Sequence, residues 1–209
     1  MTIAAWKGEF GNEYAKRNGF AQDQIYARVV LWEKILAPIL FNRPASFLEV
    51  GANIGLNIAA LNEIVGGSRF YATEPNDHAK QTLIQTDLCD EVTNDEARLL
   101  AFNTGSIEFV FTSGVLIHIQ SADLLQSCKE IHRVSSRYIC SIEYFSDKPQ
   151  EVEYRGNKDM LWKRDFGSYW MDQFPGLNLI HYGFEWKRRT GLDNLTWWLF
   201  EKQGVSHAA

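Results

Sequence analysis

Apolar residues recur along this chain with two periods, and the switches between them lay out its elements. Over 22–40, QDQIYARVVLWEKILAPIL, the residues Ile25, Val29, Leu31, Trp32, Ile35 and Leu36 fall at helical spacing before Pro38 and Pro44 interrupt. SFLEV (46–50) is a short apolar run that predicts a buried strand, and GANIG (51–55) a tight turn. LNIAALNEIV (56–65) predicts an amphipathic helix ended by Gly66-Gly67. RFYATEP (69–75) predicts a second strand, with a helix from about Asn76. Over 86–106 the pattern gives only short strand pieces around Val92 and Ala97 and a turn at Asn103–Ser106. A strand at 107–114, a helix at 122–134 and a strand at 137–145 follow. A helix at 165–173 leads to two last strands, LNLIHYGFEW and LTWWLFEK, joined by RRTGLDN as a hairpin connection.

Strand alternating with helix through residue 145 predicts a doubly wound α/β fold, a mostly parallel sheet covered on both faces, with a C-terminal antiparallel hairpin. The chain reads as one structural domain, with 1–45 as a helical cap or lid and 46–209 as the main body. Composition narrows the class further. With 209 residues, 45% hydrophobic and 22% charged, the chain has enough apolar mass for a core and is neither disordered nor low in complexity. A net charge of -5 speaks against nucleic acid as a partner, because such binding rests on neutralising phosphates. The longest uncharged window, Phe109–Ala122, falls short of the ~20 apolar residues a membrane span needs. The N-terminus has no apolar signal core. Cys89, Cys128 and Cys140 form no metal-ligand spacing, so no metal is expected and a reducing, cytoplasmic setting is.

The chemistry is expected where a doubly wound sheet binds ligands, beyond the carboxyl ends of its strands. The first strand ends in Glu49-Val50-Gly51-Ala52-Asn53-Ile54-Gly55, where Gly51 and Gly55 let backbone pass close to a ligand. The second ends in Glu74, placed to accept two hydrogen bonds from a ribose diol. Together they imply an adenosine-containing ligand. A dinucleotide fingerprint fails, since Asn53 and Leu56 stand where its second and third glycines belong, and no phosphate-cradling Gly-x4-Gly-Lys-Ser/Thr is present. Asn53 is a tolerable stand-in for a glycine because asparagine visits left-handed conformations.

An acidic residue two before Gly51, with Gly55 four beyond, resembles the pattern of class I S-adenosyl-L-methionine-dependent methyltransferases. FLEVGANIG, YATEPN and EFVFTSGVLIHI carry that resemblance. WKGEFGNEYAKRN (6–18), GVLIHI (114–119), EYFSDKPQEVEYRGNKDMLWKRDF (143–166) and DNLTWWLFEK are similar, more narrowly, to the pseudaminic-acid-biosynthesis-associated methylase family. The resemblance implies S-adenosyl-L-methionine as cofactor and S-adenosyl-L-homocysteine as product. It places Gly51, Asn53 and Gly55 against the methionine and ribose, Glu74 on the ribose hydroxyls and Asn76 beside the adenine. Glu96-Ala97, with Asp95 as the alternative, would cap the adenine amine, and Ser113 joins the cofactor residues. Tyr14 and Arg17 would form a lid over the methionine end, with Arg17 on its carboxylate.

Several of these residues carry a second reading. Glu49 either meets the cofactor or only tethers the turn through backbone N–H groups. His118, just past a central strand, is either a satisfied structural histidine or a general base for the accepting hydroxyl. Glu143 and Tyr154 follow the next strand, where the acceptor is expected; Glu143 could equally pair with Arg155 or Lys163. Arg155, Lys158, Lys163 and Arg164 form either a solvated face or a site for an anionic acceptor. The resemblance implies O- or N-methylation of a nonulosonic, pseudaminic-type sugar or its nucleotide-activated precursor. The alternatives are another small acid or amine metabolite as acceptor, or a cofactor-binding module without turnover. The oligomeric state is not legible.

Overall fold

The computed structural model describes residues 3–204; the remaining residues of the expected cap and main body, 1–2 and 205–209, lie outside it. Two short helices, α1 (Ile3–Lys7) and α2 (Glu9–Arg17), precede the long α3 (Gln22–Leu36), which runs into a 3-10 turn, Ala37–Asn42. Then come β1 (Ser46–Val50), α4 (Leu56–Ile64), β2 (Arg69–Thr73), α5 (Asp77–Ile84), β3 (Glu91–Thr93) and β4 (Ile107–Ser113). A 3-10 turn, Leu116–His118, leads to α6 (Ser121–Val134) and β5 (Ser135–Glu143). The rest is β6 (Gln150–Tyr154), β7 (Asn157–Lys163), α7 (Phe166–Gln173), β8 (Leu177–Glu185), α8 (Lys187–Thr190) and β9 (Leu195–Lys202).

Seven strands form one sheet in the order β3-β2-β1-β4-β5-β9-β8. β1 to β5 run parallel, and β9 is antiparallel to both β5 and β8. The order reverses between β1 and β4, which opens a crevice at their carboxyl ends. Every residue of β1 is buried, as a strand covered on both faces requires. Phe47, Phe109 and Phe111 pack with Trp32 and Ile35 of α3 on one face. Leu48, Val50 and Val110 pack with Ile131 of α6 and Trp170 of α7 on the other. α3 therefore belongs to the core, and of the three N-terminal helices α1 and α2 lie over the strand ends.

Three expectations change. The strand piece around Ala97 is a turn closed by a lone bridge between Glu96 and Leu99. The connection RRTGLDN contains a helical turn, α8, stopped by Gly191 in the left-handed region (φ 78°). Residues 150–163, for which the pattern assigns no secondary structure, form a separate two-stranded antiparallel sheet of β6 and β7. Its two-residue turn, Arg155-Gly156, has positive φ at both positions (51° and 75°), the geometry whose twist matches that of paired strands.

Candidate cofactor and acceptor site

A cavity of about 320 Å³ opens at the crevice between the ends of β1 and β4. Its floor is the turn after β1. Gly51 N–H and Ala52 N–H both donate to the Thr73 carbonyl (2.8 and 2.9 Å), which folds the chain back sharply. Gly51 (φ 76°), Asn53 (φ 50°) and Gly55 (φ 89°) all take left-handed backbone there. A Cβ on Gly51 would come within 2.7 Å of the Val115 side chain, and one on Gly55 would strike Leu83. Gly55 thus faces α5 and does not line the cavity, contrary to expectation; Gly51 and Asn53 do.

Two buried carboxylates stand over this turn. Glu74 accepts the Asn53 N–H on one oxygen (2.7 Å) and the Asn76 N–H on the other (2.8 Å). A carboxylate has about four lone-pair sites, so two remain for a diol. Glu49 accepts from Asn57 Nδ2 (2.7 Å) on Oε1, while its buried Oε2 has no partner. Burial raises Glu49 to about 8 and Glu74 to about 7. Arg28, a mid-helix residue that its position in an apolar stripe concealed, lines the same end of the cavity. Its Nη1 donates to the Gln24 carbonyl and Oε1 (2.9 and 3.2 Å), and the Glu49 carboxylate offsets part of the lowering that burial imposes on it.

The far wall holds Asp95, Glu96 and Ala97. Asp95 Oδ2 accepts from Thr93 Oγ1 and Ala101 N–H (both 2.9 Å). Glu96 pairs with Lys7 of α1 and with Arg98 (both 2.7 Å), which hold its carboxyl below the usual range. Asn76 lines the cavity, but its amide does not lie free beside an adenine. Its Oδ1 caps α5 by accepting from Ala79 N–H (2.9 Å), and its Nδ2 donates to the Trp6 carbonyl and to Asn12 Oδ1 (both 2.9 Å). Asn76 therefore ties the N-terminal helices to the sheet. Trp6, Gly11, Tyr14 and Asn18 close the cavity from above. Arg17 is exposed and does not reach it; Arg28 does.

Ser113 and His118 line the cavity from the β4 side. His118 Nδ1 lies 2.6 Å from the Met160 carbonyl of β7. A carbonyl only accepts, so Nδ1 carries the proton and Nε2 is the basic nitrogen. The ring packs against Trp6 (4.6 Å) and Tyr154 (5.1 Å), and burial pushes its pKa down to about 4. Glu143 pairs with neither Arg155 nor Lys163. Its carboxylate accepts from Thr112 Oγ1 (2.9 Å) and from the N–H groups of Val115, Leu116 and Ile117 (3.3, 3.1 and 3.3 Å). It thereby fixes the turn that carries His118, away from any acceptor. Tyr154 touches His118, whereas Arg155 is exposed at the hairpin tip with its guanidinium 5.6 Å over the Tyr154 ring.

Residues 48–137 match the family model of the methyltransferase domain. No curated protein matches the chain. Among solved structures, 1,6-didemethyltoxoflavin-N1-methyltransferase of Burkholderia thailandensis, with bound 1,6-didemethyltoxoflavin and S-adenosylhomocysteine, superposes with a TM-score of 0.73 at 13% identity. That match covers 96% of this chain and 88% of that one. Magnesium protoporphyrin IX methyltransferase of Synechocystis PCC 6803, with bound S-adenosylhomocysteine, gives 0.70 at 10% identity, covering 96% and 97%. A SAM-dependent methyltransferase of Aquifex aeolicus gives 0.65 at 13%, covering 91% and 97%. The fold is that of these S-adenosylmethionine-dependent methyltransferase structures, and residues 48–137 match the methyltransferase domain. The cavity's chemistry fits that cofactor: an unpartnered Glu49 oxygen for an ammonium, Arg28 for a carboxylate and Glu74 for a ribose. Among the described residues no helix is long and apolar enough to cross a membrane.

Proposed function

We propose that this chain transfers a methyl group from S-adenosylmethionine to a hydroxyl of a small acidic sugar, a nonulosonic acid or its nucleotide-activated precursor. Bound in the cavity, the cofactor supplies an electrophilic methyl on a sulfonium. The chain's own residues align the acceptor and manage one proton. His118 carries this reading: its Nδ1–H is committed to Met160, which leaves Nε2 to accept the hydroxyl proton as the new O–C bond forms. Glu49 and Arg28 hold the amino-acid end of the cofactor, Glu74 its ribose, and Asp95 or Glu96 its adenine. Trp6 and Tyr14 exclude water from above. The sugar class rests on the sequence resemblance across 143–166, and the exposed cations there are compatible with it.

The test is incubation of purified protein with methyl-labelled S-adenosylmethionine and host extract. Label in an acidic, sugar-containing small molecule supports the proposal. Label on protein or glycan moves the acceptor to a polymer. Binding of S-adenosylhomocysteine without any label transfer would make the chain a cofactor-binding module and overturn the catalytic reading.

A further inference from the structure

Five rings form a layer above the cavity. Trp6 contacts Phe10 (5.1 Å), Tyr14 (5.4 Å) and His118 (4.6 Å), and Tyr154 closes the circuit against His118 (5.1 Å) and Phe10 (6.1 Å). Two of its tyrosines carry a cation on the ring face. Arg17 lies 5.5 Å over Tyr14, and Arg155 lies 5.6 Å over Tyr154. A third pair, Lys163 5.5 Å over Tyr144, stands near them.

None of these three cations has a carboxylate partner within ion-pair distance among the described residues, on a chain with 26 acids against 21 bases. The nearby acids are already engaged: Glu13, one turn before Arg17, pairs with Lys16 (2.7 Å), and Asp193 accepts from the Tyr144 hydroxyl (2.6 Å) and from Lys187 (2.9 Å). An aromatic face orients a cation without cancelling its charge. Arg155 also sits at φ 51°, in a turn position where asparagine or glycine is the unstrained choice. Charge is thus displayed from two independent elements, α2 and the β6–β7 hairpin, around the ring layer that touches His118.

We infer that Arg17 and Arg155, assisted by Lys163, form a two-sided clamp for an oxyanion on the acceptor, a carboxylate or a phosphate. The inference rests on the methyl-transfer reading and gives Arg17 to the acceptor, leaving the cofactor's carboxylate to Arg28. Guanidinium forks match either oxyanion in paired hydrogen bonds, so the clamp defines charge before it defines the group.

The test uses the full chain saturated with S-adenosylhomocysteine, whose own titration first reports whether the cofactor reading holds. N-Acetylneuraminate and its neutral methyl ester, then glucose 6-phosphate and glucose, are titrated by ligand-observed NMR. The clamp predicts that at least one acid binds about tenfold tighter than its neutral partner and loses affinity as salt rises, because exposed charges are screened. Which acid does so separates carboxylate from phosphate. Arg17→Gln and Arg155→Gln each weaken that acid about fivefold, in line with one solvent-exposed ion contact, and leave S-adenosylhomocysteine affinity unchanged. Both side chains are exposed, so folding is not at stake. Equal or absent binding of acid and neutral partners overturns the clamp. So does an Arg17→Gln variant that loses S-adenosylhomocysteine but not the acid.

Discussion

Four hydrogen bonds converge on the Glu143 carboxylate, three of them from consecutive backbone N–H groups of the turn that ends at His118. Its work is to hold the histidine in place, so the two residues should fail differently. Glu143→Gln keeps the side chain's volume but aims an amide at those donors. It should lower kcat about tenfold while acceptor KM and S-adenosylhomocysteine affinity stay close to wild type, since small misplacements of a catalytic group cost rate. A matching rise in KM would place Glu143 against the acceptor instead. His118→Ala removes the proton acceptor itself and should cost about 100-fold or more in kcat. Because burial holds His118 near 4, the ring stays neutral from pH 8 down to 5, and the wild-type rate should show no histidine inflection in that range. An inflection near 6.5 would mean that the ring titrates in solvent.

At the scale of elements, the part of the site that follows β1 was legible because it is local. Glu49, Gly51, Asn53 and Glu74 sit on strand ends or in one turn, and strand–turn–helix periodicity places them without tertiary information. Arg28 was not legible, since it lies inside an amphipathic helix and its role depends on how α3 packs beside β1. The partner that sets the tautomer of His118 is a backbone carbonyl, Met160, which no side-chain pattern records. The β6–β7 hairpin carries a weak signal: Val152 and Tyr154 alternate with polar residues before Arg155-Gly156, and a short apolar run, Met160-Leu161-Trp162, follows it. The N-terminal helices had one as well, in Trp6, Phe10 and Tyr14 at helical spacing. Those helices are held by Asn76, by the Lys7–Glu96 pair and by the close fit of Gly11, whose added Cβ would strike the Trp6 carbonyl. Gly11→Ala should therefore lift α1 and α2 while sparing the main core. Limited proteolysis should cut earlier within the first 20 residues, and S-adenosylhomocysteine should dissociate faster, with the melting temperature nearly unchanged. Unaltered dissociation would show that these helices do not retain the cofactor.

For the whole molecule, the buried titratable groups make stability depend on pH in a direction that cofactor binding opposes. Burial raises Glu49 to about 8 and Glu74 and Glu143 to about 7, so the folded protein holds protons that the unfolded chain has released. The stability they contribute is complete below the ordinary carboxylate range and is lost as pH rises through 7 to 8. His118 and His132 work the other way: both are pushed down to about 4, so their contribution is present above 6.5 and is lost as pH falls from there. Between pH 6.5 and 8.5 the histidines contribute little and the glutamates dominate, with the Cys89, Cys128 and Cys140 thiols, pushed up by burial, adding in the same direction toward 8.5. The ligand-free protein should therefore melt at a lower temperature at pH 8.5 than at 6.5. An ammonium placed beside the unpartnered oxygen of Glu49 favours its carboxylate, which makes binding release a proton. S-Adenosylhomocysteine should consequently bind more tightly as pH rises across this interval and flatten the decline in melting temperature. Calorimetric titration in two buffers of different ionisation enthalpy counts the proton directly. A binding heat that does not depend on the buffer would separate Glu49 from the ammonium and leave it as a tether of the turn after β1.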